Sequence, residues 1–191
     1  SGQVGNVIGG TWKGIDYLRI KPSSVANPRT EGQVDQRSKF STVLQFLQPM
    51  TDFLRVGFKL YANKMTQFNA AMSYNLNNAI TGAYPNFMID YANALVTRGN
   101  LTGASNGAAS SPSAGNVEAT WTDNSGSGSA LATDKALIAL LNTTRGEAVF
   151  TTAEPARSAG SATIPVPPEY SGEDVEVFLG FVSEDGTKVA N

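Results

Sequence analysis

The chain has 191 residues, no Cys and no His, and 14 Lys+Arg against 16 Asp+Glu, for a formal net charge of −2. That length is enough to bury a core without disulfide or metal staples, and the missing residue types exclude thiolate nucleophiles, Ser–His triads, imidazole proton shuttles and His/Cys zinc or haem sites. Charged residues amount to 16%, below the roughly 25% of ordinary soluble domains, and Ala, Ser, Thr, Asn and Gly make up nearly half of the chain.

Residues 1–21 read as two extended strands punctuated by Gly2, Gly5, Gly9, Gly10 and Gly14. Ile15, Tyr17 and Arg19 alternate with Asp16, Leu18 and Ile20, the period-2 signal of a strand. Thr30 and Gln33 have the spacing of a capping box, so a helix is expected to follow, with Phe40, Val43, Leu44 and Leu47 on one face and Pro49 at its end. A short second helix is expected over about 50–58. A third starts near Thr66, with Phe68, Ala71, Met72, Leu76, Ala79 and Ile80 as its apolar stripe and Gly82 as its stop. From Phe87 the period changes to 2, and strands are expected at about 86–97, 116–122, 135–142, 147–152, 161–166 and 175–183, with a last one opening at Thr187. Asp185-Gly186 is the strongest hairpin signal. Thr102–Gly115 and Asn124–Ser129 read as flexible loops, and Trp121, Phe150, Phe178 and Phe181 as core bulk. The expected fold class is α+β: glycine-rich N-terminal strands and a short helical segment over 1–83, then an immunoglobulin-like antiparallel β-sandwich over 84–191.

The chemistry available is limited to carboxylates, Lys, Tyr and Ser. Glu173, Asp174 and Glu176 cluster, as do Glu184 and Asp185, but they fall at a loop edge and a hairpin tip. A glycosidase needs two carboxyls facing each other across a cleft. Oxygen ligands suit calcium, yet no D-x-D-x-D-G loop is present. No G-x-S-x-G elbow or S-x-x-K dyad occurs. No enzyme activity, metal or cofactor is therefore expected. Tyr84, Tyr91 and Tyr170 lie near strand ends, where a carbohydrate platform would sit, although rim tyrosines are the commoner outcome. Nucleic-acid binding is disfavoured by the scattered basic residues and a pI near 5.1. No apolar run approaches the roughly 18–20 residues of a membrane span, and no signal peptide is visible after Ser1.

The run from Gly9 to Arg19, containing Trp12-Lys13-Gly14-Ile15, resembles the N-terminal motif of an uncharacterised domain-of-unknown-function family of Gram-negative gut and soil bacteria. Arg29-Thr30-Glu31, the Phe40-to-Pro49 helix, the stretch Phe68-Asn69-Ala70-Ala71-Met72-Ser73-Tyr74-Asn75 and the closing Phe178-to-Gly186 hairpin are similar to it too. The resemblance implies no activity and transfers no site residues. It implies a further glycine-rich segment before Ser1 and a continuation past Asn191.

Residues 1–100 carry 10 Lys+Arg against 5 Asp+Glu, and residues 101–191 carry 4 against 11. Opposite charge in the two halves suits head-to-tail contacts between copies. The expected role is structural: a self-assembling subunit of an extracellular or cell-surface filament or tube, or of a virion-type assembly, partnered with itself by β-strand exchange. Val4, Val7, Ile8, Trp12 and Val189 are the candidate assembly residues. The alternative is a monomeric surface-binding module for carbohydrate or protein.

Overall fold

A computed structural model describes residues 2–12, 14–24 and 29–191. Lys13, within the expected glycine-rich strands, lies outside the described residues. The chain forms two compact units, Ser1–Val34 and Asp35–Asn191. Among the described residues no helix is long and apolar enough to cross a membrane.

The first unit contains three antiparallel strands rather than two: β1 (Gly2–Val4), β2 (Val7–Trp12) and β3 (Ile15–Ile20), in that order. Gly5 and Gly14 have φ of 58° and 83° at the connections, a backbone region that glycine enters without steric cost. In β2, Gly10 gives room to a cross-strand ring, since a Cβ there would lie 2.8 Å from Tyr17 Oη.

The helical segment comprises α1 (Glu31–Leu47), which belongs to the second unit from Asp35 onward, a 3-10 turn at Gln48–Met50, α2 (Thr51–Gly57) and α3 (Gln67–Asn78). The carbonyl of Thr30 accepts from the Gln33 and Val34 amides, both at 3.0 Å, at the start of α1. Its buried face is Val43, Phe46 and Leu47, whereas Phe40, expected on that face, is 51% exposed. Thr66 caps α3, its hydroxyl accepting from the Asn69 amide at 3.2 Å. Gly57 permits a close approach: a Cβ there would lie 2.3 Å from the Val96 carbonyl oxygen.

A two-stranded ribbon, β4 (Ile80–Thr81) with β5 (Met88–Ile89), precedes six longer strands. These are β6 (Ser105–Ser113), β7 (Asn116–Thr122), β8 (Lys135–Asn142), β9 (Glu147–Thr151), β10 (Ser161–Pro165) and β11 (Val175–Val182). They make two antiparallel sheets, ordered β10-β7-β6 and β11-β8-β9. The protein is thus a mixed helix-and-sheet structure with several antiparallel sheets.

The second sheet is covered on both sides. Ala136, Ile138 and Leu140 of β8 belong to a cluster with Ala119 and Trp121 of β7, Ile164 of β10 and Phe181 of β11. Their neighbours Leu137, Ala139 and Leu141 belong to another with Val43, Leu47, Met50, Phe53 and Leu54 of the helical segment. This explains why β8 reads as a continuous apolar run rather than an alternation: successive side chains enter opposite cores. Phe53 packs on Phe150 at 5.8 Å between ring centroids, Phe46 on Phe178 at 5.8 Å, and Trp121 on Phe181 at 5.7 Å.

Two expectations from periodicity are corrected. Residues 86–97 do not form one strand: only Met88–Ile89 pair, with β4. Further on, the backbone is held by a side chain, because Asn75 of α3 donates to the Leu95 carbonyl and accepts from its amide, at 2.9 and 3.0 Å. Conversely, most of Thr102–Gly115, expected to be a loop, is β6. It has no apolar alternation to betray it, but its backbone pairs with β7 through two register shifts.

Candidate functional site

Among the described residues of the N-terminal strands, large apolar side chains are exposed and none belongs to a buried cluster. Val4 is 83% exposed, Trp12 68%, Leu18 77% and Ile20 78%; Val7 is also exposed and Ile8 is half-buried. A small sheet draws its stability from a hydrophobic face or from packing against a helix. Contiguous exposed apolar surface marks an interaction site. Four of the five candidate assembly residues therefore lie on this meander, Val4 and Val7 on one face with Leu18 and Ile20, Ile8 and Trp12 on the other.

Val189 is placed elsewhere. It is fully buried in the core shared by the helices and β8, it bridges Val182, and its carbonyl accepts from the Leu101 amide at 3.0 Å. The turn before it is organised by Asp185, whose carboxylate accepts from the Ser183 hydroxyl at 2.6 Å and the Thr187 amide at 2.9 Å. Those bonds, the Ser183 one foremost, hold the Asp185 pKa down to about 2, against an ordinary 3.8. A depressed carboxylate pKa means that the turn's contribution is complete above about pH 4 and is lost as pH falls through about 2. Asp185→Asn is therefore expected to flatten the pH dependence of stability over that window. Urea melts of both proteins at pH 2, 3 and 4 measure it.

Residues 189–190 pair with one end of β11. Along one side β11 pairs with β8 in unbroken register from Val175–Asn142 to Val182–Lys135. On the other side Ala190 donates to the Phe181 carbonyl at 2.7 Å. The Phe181 partner on β8, Ala136, sends its own amide to the Pro155 carbonyl. Phe181 and its alternates Leu179, Val177 and Val175 therefore turn their backbone groups away from β8. Among the described residues no strand pairs with that edge from Val175 to Leu179. The side chains of these three residues point into the inter-sheet cluster. Beside them runs a groove of about 360 Å³ lined by Ala109 and Ser110 of β6, Val117, Val166, Val175 and Val177. β6, the strand across the groove, carries Pro112 and two register shifts, devices that discourage pairing. β11 carries neither.

Of the acidic cluster, Glu173 is engaged in structure. Glu173 accepts from Asn142 Nδ2 at 2.6 Å and Arg145 Nε at 2.8 Å, and these bonds lower its pKa. Among the described residues no group of three or more His, Cys, Asp or Glu side chains is arranged to hold a metal. The three tyrosines do not share one platform. Tyr170 is buried and Tyr84 exposed. Tyr91, its pKa raised first by burial and then by Glu176, lines a cleft of about 910 Å³ with Phe46, Gln45, Met88 and Arg145. Arg157, which sequence patterning did not single out, is fully buried with Asp134, Nε to Oδ2 at 3.1 Å. An isolated Arg in a polar stretch carries no signal of burial.

No curated protein and no solved structure matches the chain. A family profile matches residues 1–191, so the chain belongs to a family of unknown function (DUF6266).

Proposed function

We propose that the protein is a structural, non-enzymatic subunit that assembles with copies of itself at the cell surface or outside the cell, as a filament, a tube or a virion-type assembly, through β-strand exchange. The observation that carries this reading is the exposed apolar surface of the N-terminal meander, on Val4, Val7, Trp12, Leu18 and Ile20. The strand orders β6-β7-β10 and β9-β8-β11 support an immunoglobulin-like sandwich, being the A-B-E and C′-C-F orders of that fold.

Deleting residues 1–8 is expected to abolish assembly and leave a folded, soluble monomer, because the deletion removes β1 and the first residues of β2 but none of the core of residues 35–191. Size-exclusion chromatography with negative-stain microscopy, and circular dichroism for folding, read the outcome. Wild-type protein that stays monomeric at high concentration, or truncated protein that still polymerises, overturns the reading.

A further inference from the structure

We infer that the cleft bounded by α1, β5 and the β8–β9 turn binds neutral saccharides, with Tyr91 and Met88 against the apolar face of a sugar ring and Gln45, Gln48 and Arg145 hydrogen-bonding its hydroxyls. The cleft uses no residue of the N-terminal meander, so this inference goes beyond self-assembly and does not depend on it. Its volume of about 910 Å³ falls within the range of small-ligand clefts, roughly 300–1,000 Å³. All of its lining comes from residues 42–146, inside the second unit. Its parts are held in place within the chain. Asn142, fully buried at the end of β8, accepts through Oδ1 from the Thr144 and Arg145 amides, both at 3.0 Å, and this fixes the β8–β9 turn. Glu173 holds the Arg145 Nε at 2.8 Å. The Tyr91 ring stands edge-on to Phe46 at 5.9 Å between centroids. Asp90 ties down the backbone that carries it, accepting from the Ala92 amide at 3.2 Å and Asn93 Nδ2 at 2.7 Å. A site fixed in this way loses little conformational freedom when a ligand enters.

The lining selects the class of ligand. Among the described residues, the side-chain amides of Gln45 and Gln48 and the hydroxyls of Tyr91, Thr143 and Thr144 make no hydrogen bond within the chain. The terminal nitrogens of Arg145 make none either, because Glu173 engages only Nε. Amides and hydroxyls both donate and accept, and a guanidinium donates from a planar fork, so together they match a ligand whose every polar group is a hydroxyl. Phe46, Met88, Ile89 and Tyr91 supply the apolar part of the lining, which suits the C–H face of a sugar ring, and Tyr91 offers an apolar body with a polar tip. A wholly apolar ligand would strip water from the amides and hydroxyls without replacing its hydrogen bonds. Charge excludes the other candidates. Arg145 is the one charged residue in the lining and is matched by Glu173. An anion would enter the field of Glu147 and Glu169, which act on Arg145, and of Glu176, which acts on Tyr91. A cation would face Arg145 with no carboxylate lining the cleft.

Saturation-transfer difference NMR tests the site on the full chain, whether monomeric or assembled. The probes are the neutral trisaccharides cellotriose, maltotriose, mannotriose and xylotriose, with trigalacturonate as the acidic counterpart. Transfer to at least one neutral trisaccharide and none to trigalacturonate is expected. Gln45→Ala/Gln48→Ala is expected to raise the Kd for that trisaccharide about tenfold, since two hydrogen bonds to the ligand are lost. Both glutamines are exposed, so this variant keeps the core intact, and circular dichroism verifies the fold. Tyr91→Ala, which also removes a contact of Phe46, is expected to abolish transfer. Should Tyr91→Ala fail to fold, the glutamine variant decides. No transfer to any of the four neutral trisaccharides overturns the saccharide assignment, and equal or stronger transfer to trigalacturonate overturns the neutral class. An unchanged Kd in the folded glutamine variant overturns the cleft as the site.

Discussion

Replacing Arg157 with leucine is expected to lower stability by about 3–5 kcal/mol, roughly 6–20 °C in melting temperature for a chain of this size. The guanidinium is fully buried and every face of it is occupied. Nε bonds Asp134, Nη1 bonds the Gly103 carbonyl at 3.1 Å and Asn124 Oδ1 at 2.7 Å, and Nη2 bonds the Thr102 carbonyl at 2.8 Å. The same group lies 3.7 Å from the Phe181 ring centroid, and the Arg157 carbonyl accepts from the Trp121 indole at 2.7 Å. Truncation leaves Asp134 buried without its counter-charge, and its Oδ1 already has no hydrogen-bond partner among the described residues. The double variant Asp134→Asn/Arg157→Leu is expected to recover part of the loss, since the uncompensated charge is gone. Thermal melts of the wild type and both variants test this. A single variant within about 1 kcal/mol of wild type would mean that the ion pair is solvated rather than buried.

Leu137→Ala and Ile138→Ala, at adjacent positions of β8, are each expected to cost about 2–5 kcal/mol. In a two-layer sandwich only one of two neighbours on a strand faces the core, and truncating the other is close to neutral. Here Leu137 packs toward Phe53 and Leu54, Ile138 toward Trp121 and Phe181, and both are fully buried. Chemical denaturation of the two variants separates the architectures: two large losses require the helices on the outer face of the sheet, and one large with one small loss excludes them there.

Local spacing was enough for the elements whose side chains repeat with a clear period or end in a specific turn signal. The three helices, the strands β7 to β11 and the Asp185-Gly186 turn all follow from it, because each buries a stripe, one face or (for β8) both faces, or closes a tight turn, in a way the residue types record. The exposed meander was legible for the same reason, through Val4, Val7, Ile8 and Trp12 among glycines. Where the backbone is satisfied by something other than its own pattern, local spacing failed. β6 pairs through main-chain groups that Ala and Ser carry as well as Val does, so nothing in its side chains announces a strand. Residues 90–97 looked like a strand, but Asn75, distant in sequence, supplies the hydrogen bonds a neighbouring strand would have made. Val189 stood among assembly candidates as part of an unfinished edge, and the fold buries it against Val182 and Leu101. Arg157 stayed invisible because its partners come from Thr102, Gly103, Asn124 and Asp134, segments that meet only when the sheets close.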